Sequence, residues 1–235
     1  MQQINDLLDA KLIEKHRSQE KRDYLGASML GDECVRKIQL QYIKHEVDIS
    51  AQNLRTFAIG HCLEDLIAEW IRLAGFELRT KDENREQFGF SIANGKIAGH
   101  VDGVLKNGPD CCRYPCVWEC KTLNSKSWND TAKRGVLVTK PLYYAQVQLY
   151  MTYMSLDENP CVFTALNKDT SELYHELIPF DAEAAQRYSD RAVQIIKATE
   201  NNELMPCISN DSSFYRCKMC GFRNQCFKKM EAECD

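Results

Sequence analysis

A chain of 235 residues, 44% of them hydrophobic, is long enough to bury one substantial core, and no apolar run approaches the roughly eighteen residues that would cross a bilayer. A net charge of −4 excludes a globally basic nucleic-acid-binding protein, and the charged start, MQQINDLLDAKLIEKHR, lacks the apolar segment of a secretory signal. With no such signal, twelve cysteines read as metal or redox chemistry in a cytoplasmic setting rather than as a disulfide framework.

Residues 2–24 read as a polar, charged helix. In 25–43, Cys34 opens a helical run with the pattern Cys-x-Arg-x5-Tyr. Over 57–74, Cys62, Leu63, Leu66, Ile67, Trp70, Ile71 and Ala74 recur at helical spacing; His61, Glu64 and Asp65 take the other side and Gly75 stops the helix. Residues 76–80 and 86–92 alternate as strands, and Asn94-Gly95 predicts a hairpin into a single strand over 97–105. A loop over 107–115 leads to a strand over 116–121, then to a polar helix or loop ending before Pro141. Residues 141–155 predict a helix with proline at its start, apolar on most sides and therefore buried, in which Gln146 and Tyr150 share a face. Two strands follow at 160–167 and 171–178, then a helix capped by Asp181 and a short cysteine-rich tail from Pro206. This order predicts an α/β fold with a mixed central β-sheet flanked by helices.

The chemistry concentrates between Gly99 and Trp128. Residues two apart on a strand share a face, so Glu119 and Lys121 point one way and Cys120 the other. If the strands over 97–105 and 116–121 pair, Asp102 lies beside Glu119. Two carboxylates suit a hard cation such as Mg²⁺ or Mn²⁺, and an adjacent lysine can orient or activate a water for phosphodiester hydrolysis. Lys121, Lys126, Lys133, Arg134 and Lys140 face one acid, Asp130, over 121–140. A second basic run, Arg216 to Lys229, carries no acid. Such patches suit a phosphate backbone.

The tail holds Cys217, Cys220 and Cys226 in a Cys-x2-Cys-x5-Cys pattern with no histidine. Structural zinc and cubane iron–sulfur centres both usually take four ligands. Cys34 is the candidate for the fourth, with Cys207 and Cys234 as substitutes, and it would tie the two ends of the chain together.

Together these motifs resemble the RecB-type, iron–sulfur branch of the PD-(D/E)xK nucleases, which includes CRISPR-adaptation and phage-encoded exonucleases. The resemblance runs from Gly26 to Cys226. It implies a restriction-endonuclease-like core over residues 1–235, with 25–45 and 206–230 forming a cluster subdomain. It implies His61, Asp102 and Glu119 as Mg²⁺ or Mn²⁺ ligands, and Asp102, Glu119, Lys121, Gln146 and Tyr150 as catalytic residues. Cys34, Cys217, Cys220 and Cys226 would hold a [4Fe–4S] cluster, with Zn²⁺ as the alternative. The implied activity is a DNA exonuclease in phage recombination, repair or degradation, acting in the host cytoplasm on single strands or free ends, alone, as a homo-oligomer or with a recombination partner protein. The alternatives are a nicking or structure-specific endonuclease, or a non-catalytic, zinc-stabilised DNA-binding module.

Overall fold

The computed structural model describes residues 2–20, 22–43 and 49–232, and the side chains of those up to 227. In chain order its elements are α1 (Gln2–Arg17), β1 (Leu25–Gly26), a 3-10 turn (Ala27–Met29), α2 (Val35–Tyr42), α3 (Ala51–Leu73), β2 (Leu78–Arg79), β3 (Gly89–Ile92), β4 (Ile97–His100), β5 (Gly103–Leu105) and β6 (Cys116–Leu123). Then come α4 (Ser125–Arg134), α5 (Val136–Thr139), α6 (Pro141–Tyr153), β7 (Cys161–Asn167), β8 (Leu173–Ile178), α7 (Ala182–Glu200), α8 (Tyr215–Lys218) and α9 (Arg223–Ala232).

The chain divides into two compact units: Met1–Leu25, Asp32–Ala58 and Arg191–Asp235 form one, and Gly26–Gly31 with Ile59–Asp190 form the other. The second unit holds a five-stranded mixed sheet in the order β2-β5-β6-β7-β8. Its central strand β6 runs antiparallel to β5 and parallel to β7, the parallel step being made through α4, α5 and α6. Such a strand is covered on both faces, and β7 is buried along its whole length. On one face Trp118 and Cys120 pack with Ile67 and Ala68 of α3 and with Leu105, Val162 and Leu166. The buried indole is not left unpaired, because Trp118 Nε1 donates to Thr164 Oγ1 at 3.0 Å. On the other face α6 packs against β6, and Tyr143 stacks on Phe163 of β7 with ring centroids 6.3 Å apart.

The expected α/β architecture is therefore present, with one correction. Residues 97–105 are two strands: β4 lies in a three-stranded sheet, β1-β4-β3, and β5 in the five-stranded one. The hairpin entering β4 is as predicted. It closes at Ile92–Ile97 through Ala93, Asn94 and Gly95, all at positive φ. The chain leaves the ladder at Val101 and Asp102. Val101 N–H donates to Phe88 O at 2.9 Å, and Gln87 Nε2 donates to Val101 O at 3.0 Å, so the break is held by specific bonds.

Gly99 makes this junction possible. A Cβ there would lie 2.7 Å from Tyr150 Cε1 and 2.8 Å from Phe90 Cε1. Both rings are buried and cannot swing clear. Gly99→Ala is therefore expected to cost about 1–3 kcal/mol of unfolding free energy by overpacking. A denaturant midpoint unchanged from wild type would show that the junction tolerates the methyl group.

Candidate active site and cysteine cluster

The register Gly103–Trp118, Val104–Val117 extends by one step to set Asp102 opposite Glu119. Asp102 lies just before β5 and takes over one ladder bond with its side chain, since Oδ2 accepts the Cys120 N–H at 2.7 Å. The same oxygen is 3.3 Å from Lys121 Nζ. Lys121 Nζ also contacts Glu119 Oε1, donates to its own strand at Cys120 O (3.0 Å), and lies 5.4 Å from the Tyr143 ring centroid. Burial alone would lower the Lys121 pKa, but Glu119 and Asp102 outweigh it and raise it well above the usual lysine value.

Glu119 is fully buried, and its Oε2 has no hydrogen-bond partner; Oε1 has only the ammonium contact. Burial, reinforced by the charge of Asp102, pushes its carboxyl up to about 8. Glu64 of α3 responds in the same way, raised to about 7 by burial and then by Asp102. Two carboxyl groups from two segments therefore share one ammonium, and Glu64 from a third lies close enough to feel their charge. An orphaned buried oxygen among mutually repelling carboxyls is the chemistry of a site that takes a hard cation. Among the described residues, no three His, Cys, Asp or Glu side chains already converge as a finished metal-ligand set.

His61 is placed differently from its neighbour Glu64. Its side chain is 81% exposed, with Nδ1 3.9 Å from Glu64 Oε2. Glu64, one turn further along α3, is the helix residue electrostatically joined to Asp102 and Glu119. Sequence reading put it only on the polar side of the helix. Gln146 and Tyr150 are both buried and joined, Gln146 Nε2 donating to Tyr150 Oη at 2.7 Å. Burial first, then the charge of Glu119, raises the Tyr150 pKa, so its hydroxyl keeps its proton beside the carboxylates.

In the other unit, Cys217 is buried, and its thiol is pushed up by burial and then by the neighbouring Cys34, Cys207, Cys226 and Cys220. These four lie close enough to be felt at Cys217, but among the described residues the thiols do not converge as a finished metal-ligand set. Cys234 lies outside the described residues, as do residues 44–48 and the side chains of Lys228 and Lys229. Arg36 is also buried here, its Nε donating to Met205 O at 2.6 Å and one terminal nitrogen lying 3.9 Å from Cys226 Sγ. Gln39 ties down the same segment, donating to Glu203 O at 2.7 Å and accepting from Met205 N–H at 2.8 Å. Among the described residues no carboxylate pairs with Arg36. A buried guanidinium in that setting calls for an anionic partner, and the nearby groups able to supply one are thiols.

No protein-family model and no curated protein matches the sequence. Solved structures do. One is SSO0001, with a TM-score of 0.54 and 17% identity over 93% of this chain and 94% of that one. Another is LHK-Exo, an alkaline exonuclease from Laribacter hongkongensis, with a TM-score of 0.56 and 16% identity over 77% of this chain and 90% of that one. LHK-Exo in complex with dAMP gives a TM-score of 0.57 and 16% identity over the same shares. At these identities the likeness is one of fold: the chain folds like an alkaline exonuclease.

The raised carboxyls have a thermodynamic consequence. Glu119 in the folded chain holds a proton that the unfolded chain, with a value near 4.5, has already released. Stability should therefore fall as pH rises from about 5 to about 8, since the folded state binds more protons over that window. A bound divalent cation would cancel the repulsion, so Mg²⁺ or Mn²⁺ should raise the thermal midpoint more at about pH 8.5 than at about pH 5. Glu119→Gln should flatten the pH profile, raise the metal-free midpoint at high pH and remove most of the cation effect. A metal-free midpoint that rises across this window would contradict the assigned geometry.

Proposed function

We propose that this chain is a metal-dependent DNA exonuclease of the PD-(D/E)xK type. The observation that carries the reading is Glu119: a wholly buried carboxylate with an unpartnered oxygen, opposite Asp102 and in contact with Lys121. The fold likeness to an exonuclease, one of whose structures holds dAMP, supports DNA as the substrate.

Asp102, Glu119 and Glu64 would hold one or two Mg²⁺ or Mn²⁺ ions, with His61 as a further ligand from the same helix. Ions bound there would stabilise charge on the attacking and leaving oxygens of an in-line displacement. Lys121, in contact with Glu119 and 3.3 Å from Asp102, would orient the attacking water or take its proton. Asp102 holds that ammonium in place while bonded to the β6 backbone, so the lysine and the carboxylates cannot drift apart. Gln146 fixes the Tyr150 hydroxyl behind Glu119 and so stiffens the wall against which the scissile strand is positioned.

The tail is proposed to hold a [4Fe–4S] cluster through Cys34, Cys217, Cys220 and Cys226, with Cys207 as the neighbouring alternative donor and Zn²⁺ as the alternative metal. Its role is structural: it orders the tail against α2. Arg36 supports the reading as the counter-charge to bound thiolates.

Digestion of end-labelled linear and covalently closed circular DNA with Mg²⁺ or Mn²⁺ tests the nuclease. Linear DNA should be degraded from its ends and circles spared. Glu119→Ala and Lys121→Ala should each lower kcat by at least about a hundredfold. Glu119→Ala should also weaken Mn²⁺ binding, whereas Lys121→Ala should not. Full activity in either variant removes the site, and rapid cutting of circles makes the enzyme an endonuclease.

The cysteines are tested separately. Protein prepared without oxygen should be brown and hold about four irons per chain. Cys220→Ser should lose iron and thermal stability before activity. A colourless preparation with one zinc and no iron would replace the cluster by zinc and leave the nuclease reading standing.

A further inference from the structure

Helix α4 begins two residues after β6 ends, so the strand that carries Glu119 and Lys121 runs almost directly into it. Along this helix lies an open groove of about 620 Å³ lined by Asn124, Lys126, Ser127, Asn129, Asp130 and Lys133. Lys126, Asn129 and Lys133 follow at helical spacing and share one side of α4.

The acid in the groove is already neutralised. Arg134 clamps Asp130 through two bonds of 2.7 and 2.6 Å, and this pairing lowers the Asp130 pKa. Ser127 is held by its own contacts, its N–H going to the Asn124 side chain at 2.9 Å and its hydroxyl accepting from Lys140. The first helical N–H, that of Ser125, is taken by Asp169 at 2.7 Å, so the helix end itself is not open to an anion. What the groove offers is two exposed ammonium groups, in no ion pair among the described residues, with the Asn129 amide between them and that of Asn124 before them. Seven residues of helix separate the two lysines by about 10 Å. Phosphates along one strand wind about the axis as well as rising about 3.4 Å per step, so side chains this far apart reach two phosphates about one or two steps apart.

We infer that this groove seats the phosphate backbone of the DNA strand adjoining the scissile bond, with Lys126 and Lys133 each neutralising one phosphate and Asn124 and Asn129 donating to neighbouring phosphate oxygens. The inference rests on the nuclease reading for its choice of DNA, and it goes further by giving the strand a path. The groove reads charge and spacing, not sequence. Because its contacts are the same in ground state and transition state, it sets KM and leaves kcat alone.

The test is binding of a fluorescein-labelled single-stranded oligonucleotide across a salt series, with EDTA present so that nothing is cut. Wild type is compared with Lys126→Ala/Lys133→Ala, with Lys126→Arg/Lys133→Arg, and with Lys11→Ala/Lys15→Ala on α1 as a charge-matched control. Two lost phosphate contacts should reduce the slope of log affinity against log salt by about 1.4. The arginine pair should keep the wild-type slope, and the control should lose less than half as much as the groove variant. Thermal midpoints report whether any variant is misfolded, which exposed lysines give no reason to expect. An unchanged slope, an equal loss in the control, or no oligonucleotide binding by the wild type overturns the groove; binding of an acidic peptide in place of the oligonucleotide does the same. The two readings fail separately. A chain that binds with the expected slope but never cuts sinks the nuclease alone, and a chain that cuts with an unchanged slope sinks the groove alone.

Discussion

A carboxylate sealed inside a sheet sets the terms for the rest of this molecule. Glu119 has no exposed surface, and burying an ionised group without a partner costs several kcal/mol even after relaxation. Its compensation is local. Lys121, two residues along the same face, brings an ammonium to it, and Asp102 across the strand pair holds that ammonium from the other side. The arrangement needs β6 to be central and paired on both edges, which a parallel neighbour on one side and an antiparallel one on the other provide. It also needs the preceding chain to leave the sheet at Asp102, so that a side chain and not a backbone carbonyl takes the Cys120 N–H.

Much of this was legible in the residues, because the period of a strand is two. Glu119 and Lys121 had to share a face, Trp118 and Cys120 had to share the other, and the structure has them so. The pairing of Asp102 with Glu119 also follows from a strand–loop–strand reading, since antiparallel register carries one match to the next. The break at Val101–Asp102 was only weakly legible. Ile97 to Leu105 alternates without proline, its one turn-type dipeptide, Asp102-Gly103, was read as part of the strand, and what ends β4 is a set of long-range bonds to Phe88 and Gln87. Local pattern cannot report a competing partner that is a dozen residues away.

Helix α3 shows the same limit in another form. His61, Glu64 and Ala68 fall on one stripe at helical spacing, so periodicity treats the first two alike. They differ by one turn, about 4.5 Å of rise. That turn separates a carboxyl close enough to feel Asp102 from an imidazole 81% exposed. Which turn of a helix faces the site depends on where α3 crosses the sheet, and that is fixed by Ile67 and Ala68 packing on Trp118. In the tail the Cys-x2-Cys-x5-Cys spacing singled out Cys217, Cys220 and Cys226, with Cys207 only a substitute and Arg36 only part of the Cys34 pattern; the spacing alone does not place either near the others. Gln39 and Arg36 do that, by bonding the backbone at Glu203 and Met205.

The two charged centres therefore share a logic while using opposite signs. In one, carboxyls outnumber the single ammonium, and burial drives Glu64 and Glu119 to hold protons they would otherwise release. In the other, a buried guanidinium lies 3.9 Å from the Cys226 sulfur, and burial pushes the Cys217 and Cys226 thiols up. Neither is a comfortable resting state, since hydrophobic side chains of the same volume would be at least as stable in either place. Each concentrates protons and unpaired atoms that the surrounding core does not compensate, and the proposed hard cation at the carboxyls and thiophilic centre at the sulfurs would relieve them. The instability is confined to these centres because the surrounding elements are ordinary: a fully packed indole, a capped helix α7, a proline-started helix α6. Conflict between local chemistry and the demands of the core, concentrated where the rest of the fold is consistent, is the physical signature by which a functional site can be found without knowing its ligand.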